Sequence, residues 1–174
     1  MHMNATALAP TITFEEAIPA RSATWRIAAE YLEVTASEAP QLVDITAAVQ
    51  DAVARSGIAH GHVTIFCRHT TASVVLNENE PLLHEDVKEF LERLASSQGQ
   101  YRHDDFSIRT ENIIEDHGLN AHAHLKHLVL GATMTLPVIE RKVALGAWQR
   151  IFLLEMDRPK ARTLLVQVSG AEIA

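Results

Sequence analysis

The chain has 174 residues, of which 47% are apolar and 21% charged, and this length predicts one compact domain with a sizeable core. Its 22 acidic and 15 basic side chains give a formal net charge of −7, which argues against electrostatic binding to nucleic acid or to an anionic membrane. The longest uncharged apolar run, residues 128–139, is too short to cross a bilayer. The single cysteine, Cys67, excludes an internal disulfide, and without a recognisable secretory signal the chain is predicted to be cytoplasmic.

The N-terminal half predicts short strands separated by two strong helices. Residues 1–10 are small or polar and predict a flexible arm, so residues 11–174 are expected to form the single domain. Asp44 is the expected N-cap of the first helix and Gly57 its C-cap, because apolar residues recur between them at helical spacing. Pro81 is expected to begin the second helix, which ends near residue 95. The strands predicted in this half are residues 11–17, 29–35, 62–68 and 72–76.

The C-terminal half predicts a polar loop with one strand over residues 101–119, then a short helix over residues 121–130 that Gly131 stops. Closely spaced apolar runs follow, each bounded by charged residues, Gly or Pro. These strand candidates are residues 133–138, 143–145, 149–155 and 163–169. The fold class is therefore predicted to be α+β, with antiparallel sheet dominant.

Histidine is the compositional oddity, because nine of the 10 histidines lie between His60 and His127. Histidine titrates near neutral pH and is the commonest metal ligand. His122 and His124 share a face only in an extended segment, whereas His124 and His127 are neighbours on a helix. A divalent metal such as zinc would therefore have to recruit ligands from several segments, and no zinc-finger spacing is present.

The densest polar constellation surrounds the strand at residues 72–76. His69 precedes this strand, and Asn77 and Glu78 follow it where the sheet is expected to meet solvent. Glu80 is open to two interpretations, a helix cap or a site residue.

His84 and Asp86 lie on the second predicted helix, roughly 160° apart around its axis. They cannot both reach one ligand directly, so a shared ligand requires Asp86 to act through another group or from a different subunit. Cys67, in the middle of a strand, is more typical of a core residue than of a nucleophile. Trp148 is expected to anchor a core or an interface, and Gln149 beside it is a candidate site residue.

Residues 69–79, with the sequence His-Thr-Thr-Ala-Ser-Val-Val-Leu-Asn-Glu-Asn, resemble the diagnostic segment of the YjbQ family. Further pieces of the family pattern follow in order, and the resemblance extends over roughly residues 44–168. These pieces are His84-Glu85-Asp86, Tyr101-Arg102-His103-Asp104, His124-Leu125-Lys126, Leu145-Gly146-Ala147-Trp148-Gln149, and Glu155 with the basic group near Arg162.

The resemblance implies a YjbQ-like sandwich of two antiparallel sheets with a few helices, assembled as a homotrimer. It also implies weak thiamine-phosphate synthase activity, which joins an aminopyrimidine methyl diphosphate to a thiazole phosphate and releases diphosphate. The partner would then be a small phosphorylated metabolite. A second interpretation is a trimeric module that binds a metabolite or a metal, with incidental synthase activity. A third is a purely structural trimer whose histidines fill the interfaces.

Matching to the family selects a shared polar set of eight residues. These are His69, Asn77, Glu78, His84, Asp86, His124, Lys126 and Gln149. His69, His84 and His124 are expected to line a pocket that holds a divalent metal, either zinc or magnesium. Glu78 and Asp86 would join these histidines in acid–base chemistry or orient them, while Asn77, Lys126 and Gln149 would bind substrate. The histidines outside the pattern are expected at the surface, namely His60, His62, His117, His122 and His127.

Overall fold

The structure is a computed structural model that describes residues 23–113 and 118–172. Its strands are β1 (Thr24–Ala36), β2 (Gln41–Asp44), β3 (His60–Cys67), β4 (Ala72–Glu78), β5 (Thr133–Ile139), β6 (Lys142–Val143), β7 (Gln149–Glu155) and β8 (Lys160–Glu172). Its helices are α1 (Thr46–Ser56), α2 (Pro81–Leu94) and α3 (Ala121–Leu130), with a 3-10 turn at Arg102–Asp104.

The strands form two antiparallel sheets, which confirms the predicted α+β sandwich. One sheet has five strands in the order β1-β8-β3-β5-β6, and the other has three in the order β2-β7-β4. Alternate side chains of β3 and β7, such as Ile65 and Leu153, meet in the main core between the sheets. Helix α1 closes this core with the fully buried Val49 and Val53.

A second, smaller core lies on the opposite face of the three-stranded sheet. There α2 and α3 pack Leu91 and Ala123 against Leu154 and Met156. The three-stranded sheet is therefore covered on both faces. That explains why β7 is buried continuously from Ile151 onwards instead of alternating between buried and exposed positions.

Local capping signals placed two of the helices correctly. The N-cap of α1 is Ile45, one residue later than the predicted Asp44, whose Oδ1 atom accepts a hydrogen bond from Thr46 N at 2.8 Å. Gly57 ends this helix with a left-handed φ of 73°. Glu80 accepts hydrogen bonds from the first free backbone N–H groups of α2, at Leu82 and Leu83, so the capping interpretation of Glu80 is confirmed.

Several strand predictions need correction. β1 and β8 are each 13 residues long and pair along their whole length, well beyond the predicted runs. β2 carried no sequence prediction, and the strand expected at residues 143–145 is the two-residue β6. The predicted loop holds the 3-10 turn and no strand in its described part.

Two N-terminal predictions, the arm at residues 1–10 and the strand at residues 11–17, lie outside the described residues.

Trp148 is 74% exposed, so within one chain it is not a core residue. Across the described ranges, no helix combines the length and apolar character needed to cross a membrane.

Candidate functional site

The predicted site residues divide between the two ends of the ladder formed by β4 and β7. At one end Ala72 pairs with Glu155, and at the other Glu78 pairs with Gln149. We call the first the buried end and the second the open end. Six residue steps of about 3.4 Å separate them, so the two ends lie about 20 Å apart.

An ion pair between Glu155 and Arg162 organises the buried end. The Arg162 Nη2 atom donates to Glu155 Oε1 at 2.6 Å and to Thr71 Oγ1 at 2.9 Å. Burial disfavours the charged guanidinium, but the hydrogen bonds and charge of Glu155 outweigh it and raise the pKa of Arg162. Because both partners are buried and mutually satisfied, they hold β7 and β8 in a fixed relation to the start of β4.

His69 lies beside this ion pair and uses one of its ring nitrogens structurally. Its Nε2 atom accepts a hydrogen bond from Thr163 N at 2.8 Å, which requires that nitrogen to be unprotonated. Burial, followed by the positive charge of Arg162, lowers the pKa of His69. His69 is therefore a neutral imidazole whose Nε2 lone pair is already committed to β8.

A pair of histidine rings also lies at the buried end. The rings of His103 and His124 meet nearly edge to face, with centroids 4.8 Å apart. The Arg109 Nη1 atom lies 3.2 Å from His103 Nε2 and donates to the His103 carbonyl oxygen at 3.2 Å. We call these three residues the histidine pocket. Burial, and then the neighbouring His103, lower the pKa of His124, which favours its neutral form near pH 7.

Asp104 holds the histidine pocket together. Its Oδ1 atom accepts hydrogen bonds from Asn120 N at 3.0 Å and Ala121 N at 3.1 Å, and so caps the start of α3. His103 precedes Asp104 and His124 lies one turn into α3, so this cap brings the two rings together. Sequence reasoning placed His103 within a family motif but not in the site. The signal that could have located His103 is its neighbour Asp104, because a carboxylate can cap the start of a helix and so bring His103 close to α3.

Helix α3 presents its polar residues on two sides. His124 and His127 lie to one side of the buried stripe, while His122 and Lys126 lie to the other. Lys126 is only 1% exposed, and burial lowers its pKa, with a smaller opposing effect from the charge of Glu92.

The surface prediction for His122 and His127 was wrong. His122 is buried, and burial lowers its pKa. The His127 Nδ1 atom is 2.8 Å from the Ala72 carbonyl oxygen and 3.2 Å from Ser73 Oγ, so His127 ties α3 to β4. The reason is that α3 lies against β4, and its solvent face carries the apolar side chains of Leu128 and Val129 instead.

The open end is exposed, and its amide side chains bond locally. The Gln149 Oε1 atom accepts from Gly146 N at 2.8 Å, and Asn77 Oδ1 accepts from Glu78 N at 2.9 Å. The Glu78 side chain is exposed at the same edge.

Helix α2 places His84 against the face of the three-stranded sheet. The His84 ring packs edge-on against Phe152 with centroids 5.5 Å apart, and its buried Nε2 atom has no hydrogen-bond partner among the described residues. Asp86 is exposed on the same helix.

The predicted site residues therefore lie in three places. His69 and His124 lie at the buried end, and His84 and Asp86 lie on α2. The open end holds Asn77, Glu78 and Gln149.

Comparison with known proteins shows which family the chain belongs to. The sequence profile of the family described as UPF0047 protein YjbQ-like matches residues 30–171. The chain belongs to the YjbQ family. A UPF0047 protein of Methanothermobacter thermautotrophicus is 35% identical over 147 residues, which cover 80% of this chain and 95% of the relative.

Solved YjbQ structures share the fold. A YbjQ-like protein of unknown function from Sulfolobus solfataricus has a TM-score of 0.76 and 34% identity, covering 84% of this chain and 99% of its own. A YjbQ/UPF0047 family protein from Clostridium acetobutylicum has a TM-score of 0.66 and 30% identity, covering 81% of this chain and 98% of its own.

The YjbQ chain was expected to hold a metal between His69, His84 and His124. Among the residues that the structure describes, no three His, Cys, Asp or Glu side chains are arranged to hold a metal ion. His69 bonds to Thr163, His84 packs on Phe152, and His124 packs on His103. One chain therefore does not bring the three histidines to a shared metal, and this site stays a prediction.

Proposed function

We propose that the protein is a homotrimeric small-molecule transferase whose site combines the buried end of one copy with the open end of the next. The proposal rests on one observation, which is that the polar residues selected by the family pattern are divided between the two ends of the ladder. His124 lies on α3 beside the buried end and Gln149 lies at the open end. The two ends of the ladder are about 20 Å apart, which is too far for one small ligand to span. A ring of copies arranged head to tail joins unlike surfaces and places these ends next to each other.

Exposed apolar side chains support assembly. Trp25, Ile27 and Tyr31 project from one face of β1 and are 64%, 66% and 64% exposed. Trp148 stands at the open end, one residue before Gln149. Clustered large apolar side chains of this kind are typical of protein interfaces.

The candidate reaction is the formation of thiamine phosphate. The ring nitrogen of a thiazole phosphate attacks the methylene carbon of an aminopyrimidine methyl diphosphate. The carbon–oxygen bond breaks and diphosphate leaves with its electron pair. The attacking nitrogen carries no proton, so the protein's task is to offset the negative charge that grows on the leaving diphosphate.

The histidine pocket has suitable groups for this task. Arg109 is a permanent cation, and a neutral His124 offers one N–H donor while its other nitrogen accepts. The exposed carboxylates Glu78 and Asp86 are the ligand type that magnesium prefers, and magnesium would supply further positive charge to the diphosphate.

The test is an assay of purified protein with both substrates and magnesium, measuring thiamine phosphate and diphosphate together. Wild-type protein should form the two products in equal amounts, and His124→Ala should lower the rate about 100-fold or more. His62→Ala is the matched control, because His62 is an exposed histidine on β3, and its rate should remain near wild type. The oligomeric mass of each variant is measured in parallel. No product from a trimeric wild-type protein would contradict the synthase proposal.

A metabolite-binding module is the second candidate, and the bonding of Arg109 favours it. The Arg109 Nε atom donates to the Glu111 carbonyl oxygen and Nη2 to the Asn112 carbonyl oxygen, so much of the guanidinium is committed to the chain itself. This candidate predicts saturable thermal stabilisation by the thiazole phosphate, lost in His124→Ala, without release of diphosphate.

A further inference from the structure

Lys126 is a buried cation on helix α3. It is 1% exposed, and it forms no hydrogen bond or ion pair with any residue that the structure describes. Glu92 is the acidic group that acts on it electrostatically, but the Glu92 carboxylate accepts hydrogen bonds from Ser96 and Ser97. Fully buried lysines are rare unless paired, so this arrangement points to a use for the amine.

Lys126 lines a cavity of about 340 Å³ on the side of α3 away from His124. A cavity of this size lies within the roughly 300–1,000 Å³ range of small-molecule sites. Its other main lining residues are Pro40, Glu92, Gln98, His122, Met156 and Asp157. They come from the segment before β2, from α2 and the residues after it, from α3 and from the residues after β7, so four parts of the chain surround the amine.

We propose that Lys126 is a nucleophilic amine that holds a small aldehyde or ketone as an imine in this cavity. The inference is independent of the synthase proposal, because it concerns the opposite side of α3. A lysine that is desolvated and not paired with a carboxylate keeps a larger fraction of its free amine, which is the nucleophilic form.

The reaction balances with groups that the cavity contains. The Lys126 Nζ lone pair attacks the carbonyl carbon, and the carbonyl π electrons move to the oxygen. A proton passes from nitrogen to that oxygen, and water then leaves as the carbon–nitrogen double bond forms. The titratable groups that face Lys126 are Glu92 from α2, His122 from α3 and Asp157 after β7. The His122 ring bonds to the Met156 backbone through one nitrogen. Its second nitrogen can accept the proton from Nζ and pass it to the oxygen.

The experiment uses the native full-length protein and a limiting amount of glycolaldehyde near pH 7, with cyanoborohydride to reduce imines to stable amines. The chain has only four lysines, namely Lys88, Lys126, Lys142 and Lys160, so peptide mass mapping reports each one. Lys88 is paired with Glu85 and Glu38, while Lys142 and Lys160 are exposed. We expect Lys126 to be modified at least about tenfold faster than any of the others.

Two controls decide the outcome. In urea the preference should disappear, because the unfolded chain exposes all four amines equally. Lys126→Met should lose the fast modification and remain folded, with a melting temperature equal to or above that of wild type, since an unpaired buried cation is replaced by an apolar chain of similar length. Modification of Lys126 at or below the rate of Lys142 in the native protein would overturn the proposal.

Discussion

Both ends of the β4–β7 ladder carry polar side chains, but these side chains are held in opposite ways. At the buried end, Glu155 and Arg162 form an ion pair inside the protein. The His103 ring packs on His124 near the start of α3, which Asp104 caps. At the open end, Asn77 and Gln149 are exposed, and among the described residues they bond to backbone at most three residues away.

The difference lies in what surrounds each end. The buried end is enclosed by β8, the segment around His69 and α3, so its polar groups are fixed before any ligand arrives. The open end has no such cover among the described residues, so its amides are available to a neighbouring copy. A preorganised half and an accessible half are what a site shared between subunits requires.

The largest expected effect comes from breaking the buried ion pair. Glu155→Leu removes the carboxylate that bonds directly to the buried Arg162 and leaves the more distant Asp157, 4.0 Å away, as its acidic neighbour. It should lower the free energy of unfolding by about 3 kcal/mol. Gln149→Ala at the open end should lower it by less than about 1 kcal/mol, because its hydrogen bond is exposed. Urea unfolding of the two variants measures this contrast.

The matched control for the ion pair is the double variant Glu155→Leu/Arg162→Met. It removes both charges and should recover most of the stability lost in the single variant. If Glu155→Leu and Gln149→Ala lowered the free energy of unfolding by equal and small amounts, the proposed difference between the two ends would be contradicted.

Removing the α3 cap should have an intermediate effect. Asp104→Ala leaves Asn120 N and Ala121 N without their acceptor, and should cost about 1 kcal/mol of stability. It also frees His103 from His124, so the pKa of His124 should rise towards its ordinary value, as measured by NMR titration. Asp104→Asn keeps a capping oxygen and should change both quantities less. A His124 pKa that does not move in Asp104→Ala would show that the cap does not hold the pair.

The smallest effect should be a pH dependence carried by the buried end. Burial lowers the folded-state pKa values of His69, His122 and His124, so the unfolded chain binds more protons than the folded one. Their stabilisation is present above the unfolded value of about 6.5 and is lost as the pH falls through the folded values. Unfolding free energies at about pH 7.5 and pH 5.5 should therefore decrease with acidity. His69→Gln should reduce that slope, whereas a stability that increases on acidification would contradict this assignment.

Local signals predicted the elements whose causes are local. Gly57 ends its helix as expected, Asp44 lies one residue before the N-cap that it was predicted to be, and Glu80 caps its helix, which was one of its two interpretations. The lengths of β1 and β8 were underestimated because their ends are stabilised by pairing with each other, more than 120 residues apart in the chain. The apolar pattern of either segment alone does not indicate that the two strands pair over this length.

The site was predicted by residue type but not by arrangement. The family pattern selected His124 and Gln149, yet nothing local shows that they lie at opposite ends of a ladder. His122 and His127 were misjudged because the burial of a helix face depends on what packs against it. His103 was missed because its contact with His124 depends on a cap that spans the long loop before α3.

The most direct test of the shared site is complementation between two inactive variants. His124→Ala damages the buried end and Gln149→Ala the open end, so each homotrimer should be inactive in the diphosphate assay. After equal amounts are co-expressed and assembled at random, about one quarter of head-to-tail interfaces should join two intact halves. Recovery of roughly that fraction of wild-type activity is the predicted result. A mixture as inactive as either variant alone would place the complete site within one chain and contradict the account.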